Sequence, residues 1–262
     1  MVGPTYRYAD RPVRVTFLAR PNRYLAQVRL PNDEVALAHV PNPGRMEELL
    51  VSGLTEGYAI PAGHEGRRTC LDLVAVRVGP TLVSIDSRVA NPLVRSALAM
   101  GKVPPLPTGP WRAEPRWGEG RLDFASFERA GRSPGWLVEV KSSNLRVGQY
   151  SLFPDAPTVR GTRHVLALRD AARRGIRAAV IFALQRDDTE RFTPNGALDP
   201  DFARALRSAS RSGVHLLAHR LRVRSDHVEW GARVPVEVES PFARLASVSK
   251  KSIYAQGSMT MG

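Results

Sequence analysis

The sequence predicts an α/β chain (α+β overall) in two parts, a small N-terminal β-barrel followed by an α/β domain with a central mixed sheet. Three observations lead there. Residues 13 to about 86 read as short strands separated by turn formers, and beyond Asn91 helices alternate with strands. One of those later strands, Ile176–Gln185, is a nearly unbroken apolar run, as expected of a strand buried on both faces.

The strands of the first part are Val13–Leu18, Tyr24–Leu30, Val35–Val40, Gly57–Ile60 and Thr69–Val78, with Pro31-Asn32-Asp33 as the turn after the second. Gly44–Val51 reads as a short helical segment between the third and fourth. Five strands with a helix after the third is the order of an OB-type barrel, a common oligonucleotide-binding scaffold, though a small barrel of another topology shares it.

In the second part Leu93–Met100 is helical and Gly101 ends it, before a proline-rich connection from Pro104 to Pro110. Strands bearing Asp123 and Glu139 follow. An amphipathic helix, about Val159–Arg174, is closed by Gly175 and leads into the apolar strand. Asp199 caps a further helix with Pro200 at its first position, and Phe202, Ala205, Leu206 and Ala209 form its apolar face. Gly213 ends that helix and Val214–Val223 is the last core strand. Residues 240–262, rich in Ser, Gly and isolated charges, read as a disordered tail.

With 262 residues, 43% of them hydrophobic, the chain is long enough for one large domain or two modest ones. Its net charge of +13 suits a polyanionic partner such as nucleic acid. Cys70 is the single cysteine, which excludes an internal disulfide and a thiolate zinc cluster and fits a reducing cytoplasm. Met1–Arg14 contains no apolar signal segment, and Ala178–Leu184, the longest apolar run, is too short to cross a bilayer. A soluble cytoplasmic protein without a membrane partner is expected.

The chemistry centres on Arg121–Asn144. There Asp123 sits among apolar residues, and Trp136-Leu137-Val138-Glu139-Val140-Lys141 places two unlike charges in a core strand. Side chains alternate along a strand, so Glu139 and Lys141 share one face and Val138 and Val140 the other. Such charges are costly in a core unless paired, hydrated or holding a metal. Asp123 and Glu139 with the Val140 carbonyl could hold Mg²⁺ (or Mn²⁺), and Lys141 could orient an attacking water or stabilise the transition state. This is the Asp…Glu-x-Lys pattern of PD-(D/E)xK nucleases; a strand-borne ion pair is the plainer reading of Glu-x-Lys. The chain's only lysines are Lys102, Lys141, Lys250 and Lys251, which makes one in a core strand less of an accident.

Glu114 could complete the acidic set or be solvated, and Gln185 could reach the same sheet edge or merely end its strand. Arg160, Arg163 and His164 fall at helical spacing and form either a phosphate-contacting or a solvated face. The loop carrying His39, Asn42 and Arg45 could bind phosphate or serve as a helix entry. Other chemistries fail. His215 and His219 have zincin spacing without the glutamate, Gly101-Lys102 is followed by Val103 rather than Ser or Thr, and no Gly-x-Ser-x-Gly elbow occurs.

Several blocks together resemble the sugar fermentation stimulation protein family. They are His39–Met46, Ala90–Val94, Arg121–Phe124, Val138–Lys141, Phe153–His164 and Leu184–Arg186, spread from about Val13 to Val236. The resemblance implies an OB-like, nucleic-acid-binding domain over 1–86 and a restriction-endonuclease-like domain over 87–239. It also implies DNA binding and a metal-dependent nuclease site at Glu114, Asp123, Glu139 and Lys141, with Gln185 accessory. The family name records a link to sugar metabolism through gene regulation, so a non-cleaving DNA-binding regulator is the alternative, and a homodimer is left open. The sequence departs from the family pattern at Leu82–Arg88 and at Ser142-Ser143-Asn144-Leu145.

Overall fold

A computed structural model of the chain describes residues 3–62, 69–127, 134–239 and 241–242. The tail over 240–262 therefore lies outside the described residues apart from Pro241 and Phe242. The first strand, β1 (Thr5–Arg7), belongs to the larger, C-terminal sheet. The barrel follows as β2 (Val13–Asn22), β3 (Leu25–Arg29), β4 (Val35–His39), β5 (Glu56–Pro61), β6 (Leu71–Val78) and β7 (Thr81–Ser84). Strands β4-β3-β2-β5-β6 are antiparallel neighbours, and a short parallel pairing of Ala38 and His39 in β4 with Leu71 and Asp72 in β6 closes five strands into an OB barrel. Val15, Phe17, Val28, Met46, Leu73 and Val83 are among the apolar side chains filling it.

The expected helix over Gly44–Val51 is a single turn, in which the Leu49 and Leu50 N–H groups donate to the Met46 carbonyl. Met46 takes a left-handed φ of 52°, which blocks helical entry. Thr55 ends the turn by accepting from the Val51 N–H and donating to the Leu49 carbonyl.

The C-terminal domain begins with α1 (Ala90–Ala99), followed by the short strands β8 (Arg112–Ala113), β9 (Arg116–Trp117) and β10 (Gly120–Arg121). Next come β11 (Phe124–Phe127), β12 (Pro134–Ser143), β13 (Leu145–Val147), β14 (Tyr150–Phe153) and α2 (Val159–Arg173). The chain continues through β15 (Arg177–Leu184), β16 (Arg191–Pro194), α3 (Pro200–Arg211), β17 (His215–Val223) and β18 (His227–Val234). The main sheet has the order β1-β18-β17-β15-β12-β11-β8, with β12, β15 and β17 parallel and the outer strands antiparallel. Val214–Val223 is thus not the last core strand, because β18 and β1 extend the sheet beyond it.

The apolar β15 is buried from Ala178 to Leu184. Ala179, Ile181 and Ala183 pack on the α1 side and Ala178, Val180, Phe182 and Leu184 under α2 and α3. Asp199 caps α3 by accepting from the Phe202 N–H at 2.9 Å. Gly175 and Gly213, at φ 82° and 88°, close α2 and α3 in the left-handed conformation that glycine adopts without strain. Among the described residues no helix is long and apolar enough to cross a membrane.

Barrel and sheet are tied along a polar seam. The Ser84 N–H donates to the Gln185 carbonyl at 2.9 Å, the Gln185 Nε2 to the Asp86 carbonyl at 2.8 Å, and the Ser87 hydroxyl to the Pro41 carbonyl at 2.7 Å. Arg88 bridges Asp86 and Asp72 at 2.7 and 2.8 Å, both carboxylates being buried. Arg88→Ala leaves two buried charges undercompensated. Breaking a fully buried pair costs about 3–5 kcal/mol. Arg88 is itself half exposed, so about 2–3 kcal/mol is expected, read as a lower urea midpoint. An unchanged midpoint means that solvent already screens the network.

Candidate metal centre and nucleic-acid interface

Strands β11 and β12 pair antiparallel, with Phe124 opposite Val138 and Ala125 opposite Leu137. One residue further the same register sets Asp123 opposite Glu139, where facing Cβ atoms lie roughly 4.5–5.5 Å apart. Leu137 and Ala125 pack under α2 while Val138 and Val140 pack on the α1 side. Asp123, Glu139 and Lys141 therefore share the α2 face of the sheet.

Asp123 is held at both oxygens, Oδ2 accepting from the Val140 N–H at 2.7 Å and Oδ1 from Asn91 Nδ2 at 2.8 Å. Glu139 is 3% exposed. Its Oε1 takes Lys141 Nζ and His164 Nδ1 together, and its Oε2 is buried with no partner among the described residues. Burial pushes the Asp123 carboxyl above its ordinary range and the charge of Glu139 adds to this, against the Val140 N–H, Asn91 and Lys141. Burial also acts to raise Glu139, but His164 and Lys141 outweigh it and hold that carboxyl low. The result is a pair of facing acids with unequal proton affinities, one of them held by the Lys141 ammonium and the His164 imidazole.

The remaining sequence candidates divide. Glu114 has its backbone N–H on the Asp123 carbonyl at 3.0 Å, but its side chain is turned to solvent, 3.2 Å from Arg121, on a backbone with φ 50°. Gln185 is 1% exposed and serves the seam to the barrel, so it lies apart from the acids. Arg160 and Arg163 are exposed on the first turns of α2, whereas His164 turns inward to Glu139 instead of joining them.

In the barrel, His39 Nδ1 lies 3.2 Å from Asp72 and its ring stacks on Tyr24. Asn42 Oδ1 accepts from the Gly44 N–H at 2.9 Å, which shapes the loop. Arg45 is exposed and borders a hollow of about 340 Å³ with Arg20 and Arg23. A Cβ at Gly44 would stand 2.0 Å from Asp155 Oδ2, so this loop rests directly on the segment leading into α2. Asn91, Asp155 and Arg20 were not among the sequence candidates. Asn91 and Asp155 do fall in the Ala90–Val94 and Phe153–His164 blocks, which was the signal available for them.

Comparison with known proteins agrees across the chain. The model for the SfsA N-terminal OB domain matches residues 18–85 and that for the sugar fermentation stimulation protein RE domain residues 88–227. A sugar fermentation stimulation protein homolog of Moorella thermoacetica is 41% identical over 87% of this chain and 96% of its own length. One from Clostridium botulinum is 36% identical over 86% and 97%. The solved structure of Pyrococcus furiosus SfsA, described as in complex with Ca²⁺, superposes with a TM-score of 0.79 at 29% identity, covering 90% of this chain and 100% of that one. The chain belongs to the sugar fermentation stimulation protein family.

Proposed function

We propose that this is a cytoplasmic DNA-binding protein that hydrolyses phosphodiester bonds with Mg²⁺ or Mn²⁺ at Asp123, Glu139 and Lys141. The observation carrying this reading is the Glu139 Oε2, buried beside a second carboxylate with no partner among the described residues. A buried acceptor without a donor costs about 1–3 kcal/mol, and more when charged, which supports a non-protein partner at this oxygen.

An oxygen-seeking divalent cation fits. The donors are all oxygens, from Asp123, Glu139 and the Val140 carbonyl, and Mg²⁺ characteristically keeps several of its waters. So few protein donors agree with the lack, among the described residues, of any three His, Cys, Asp or Glu gathered as a fuller cage. The Ca²⁺ in the Pyrococcus furiosus structure supports the same donor chemistry. When bound, such an ion supplies charge neutralisation at the phosphate.

The chain's own groups do the rest. Asn91 and the Val140 N–H stabilise Asp123 in its ionised form, and His164 fixes the Glu139 carboxylate. Lys141, released from Glu139 toward a scissile phosphate, balances the charge that develops there or orients the attacking water. The net charge of +13 and the Arg20, Arg23 and Arg45 hollow support DNA as the partner.

One observation favours a regulator that binds without cutting. Lys141 and His164 already satisfy Glu139 Oε1, and Glu114 is turned away. Supercoiled plasmid decides between them. Nicked or linear product with Mg²⁺ or Mn²⁺, suppressed by EDTA, is expected; DNA that is retarded in gels but intact with every divalent metal tried establishes the regulator.

A further inference from the structure

We propose that the groove between α2 and α3 is a second DNA contact, which takes the phosphodiester backbone of a duplex whose neighbouring segment reaches Asp123 and Glu139. This rests on the DNA-binding reading above and extends it to a surface outside the barrel.

Helices α2 and α3 are the crossovers between the parallel strands β12, β15 and β17, so they run side by side in one direction. Their starts are joined by the Thr158 N–H donating to Asp199 Oδ2 at 2.8 Å, and their ends by Arg173 Nε reaching Ser212 Oγ at 3.4 Å. Along the groove lie two hollows of about 470 and 550 Å³ that share Arg204 and Ser208. Arg163 and Arg169 border the first, and Arg173, Arg207 and Arg211 the second.

Six arginines on one groove need an explanation. Cations in a last helical turn offset the helix dipole, which accounts for Arg173 and Arg211 but not for the other four. Nearby acids are few. Asp201 pairs with Arg204, Asp170 with Arg169, and Glu239 stands 3.9 Å from both Arg207 and Arg211, beyond hydrogen-bond range. The guanidinium forks of Arg207 and Arg211 thus have donors to spare, in the geometry that suits phosphate oxygens.

Arg204, Arg207 and Arg211 recur at i, i+3 and i+7, on one face of α3. At about 1.5 Å per residue they cover roughly 10 Å, the axial length of about three phosphates on one strand. Arg173 lies about 14 Å along α2 from His164, which touches Glu139, so a duplex at the acids reaches the groove within its own width.

The test is fluorescence anisotropy of a labelled duplex in EDTA, titrated at several salt concentrations with the full chain. The variant Arg204→Gln/Arg207→Gln/Arg211→Gln is compared with Arg7→Gln/Arg222→Gln/Arg224→Gln, which removes equal charge on β1 and at the end of β17. The groove variant is expected to bind about tenfold more weakly or worse, and its log K against log salt slope to be shallower by about 2–3. Arg211→Gln alone, at a side chain 80% exposed and so a small perturbation of the fold, is expected to reduce the slope by about 1. Equal weakening by both triple variants, or no change from the groove substitutions, overturns the proposal. Wild-type protein that fails to bind any duplex overturns the DNA-binding reading itself, a result distinct from either.

Discussion

Asp123→Asn is expected to lower Mg²⁺-dependent DNA cleavage by about 10²- to 10³-fold or more while leaving duplex affinity near the wild-type value. The amide keeps an oxygen that can accept from the Val140 N–H, so the strand pairing survives. What disappears is the charge facing Glu139 and one anionic oxygen donor. Lys141→Ala should reduce cleavage comparably by a different route, since it removes the only ammonium on Glu139 and leaves His164 as that carboxylate's remaining partner. Glu114→Ala, at a side chain paired with Arg121 in solvent, is expected to leave the rate near wild type. Cleavage that survives both the Asp123 and Lys141 substitutions comes from elsewhere on the chain or from a contaminant. Loss of cleavage on Glu114→Ala would instead mean that Glu114 swings in when substrate binds.

A second large effect is expected in stability at mildly acidic pH. His219 is 4% exposed, stacks on Trp230 with ring centroids 4.5 Å apart, and has a buried Nε2 without a partner among the described residues. Burial pushes its imidazole down to about 4 from 6.5, with Arg233 acting in the same direction and the Gly231 carbonyl against it. In the unfolded chain the imidazole takes up its proton near pH 6.5, while in the folded chain it stays neutral until about pH 4. Between these values the unfolded state binds more protons, so stability falls as pH falls, by about 2.5 kcal/mol on going from pH 7.5 to 4.5. Asp123, whose carboxyl is raised by burial, acts in the opposite sense as pH falls, so the contribution is read as a difference. His219→Phe keeps an aromatic ring on Trp230 and is expected to flatten the pH dependence of the urea midpoint by that amount. Identical pH profiles for the two proteins would show that water reaches the imidazole in the native state.

The site was partly legible from local pattern. Alternation along Leu137–Lys141 placed Glu139 and Lys141 on one face, and burial on both faces of β15 followed from its composition, because both depend only on the period of a strand. The third helix and the one before it were equally readable from Asp199, Pro200, Gly175 and Gly213, whose effects are confined to neighbouring residues. Short edge strands such as β1, β8 and β16 carry no periodic signal, since two to four residues are too few to show one and their stability comes from a distant partner.

By itself the sequence determined the two-part architecture, the barrel's strand order, the chain's positive charge and the common face of Glu139 and Lys141, all of which follow from local spacing and composition, whereas the β11–β12 register set Asp123 opposite Glu139. Tertiary structure alone decided the partners. It brought His164 from α2 and Asn91 from α1 onto the acids, sent Gln185 to the seam with the barrel, and left Glu114 with Arg121. The reason is physical: hydrogen bonds and charge compensation between residues 7 to 99 positions apart depend on how sheets, turns and helices pack, which no local period encodes.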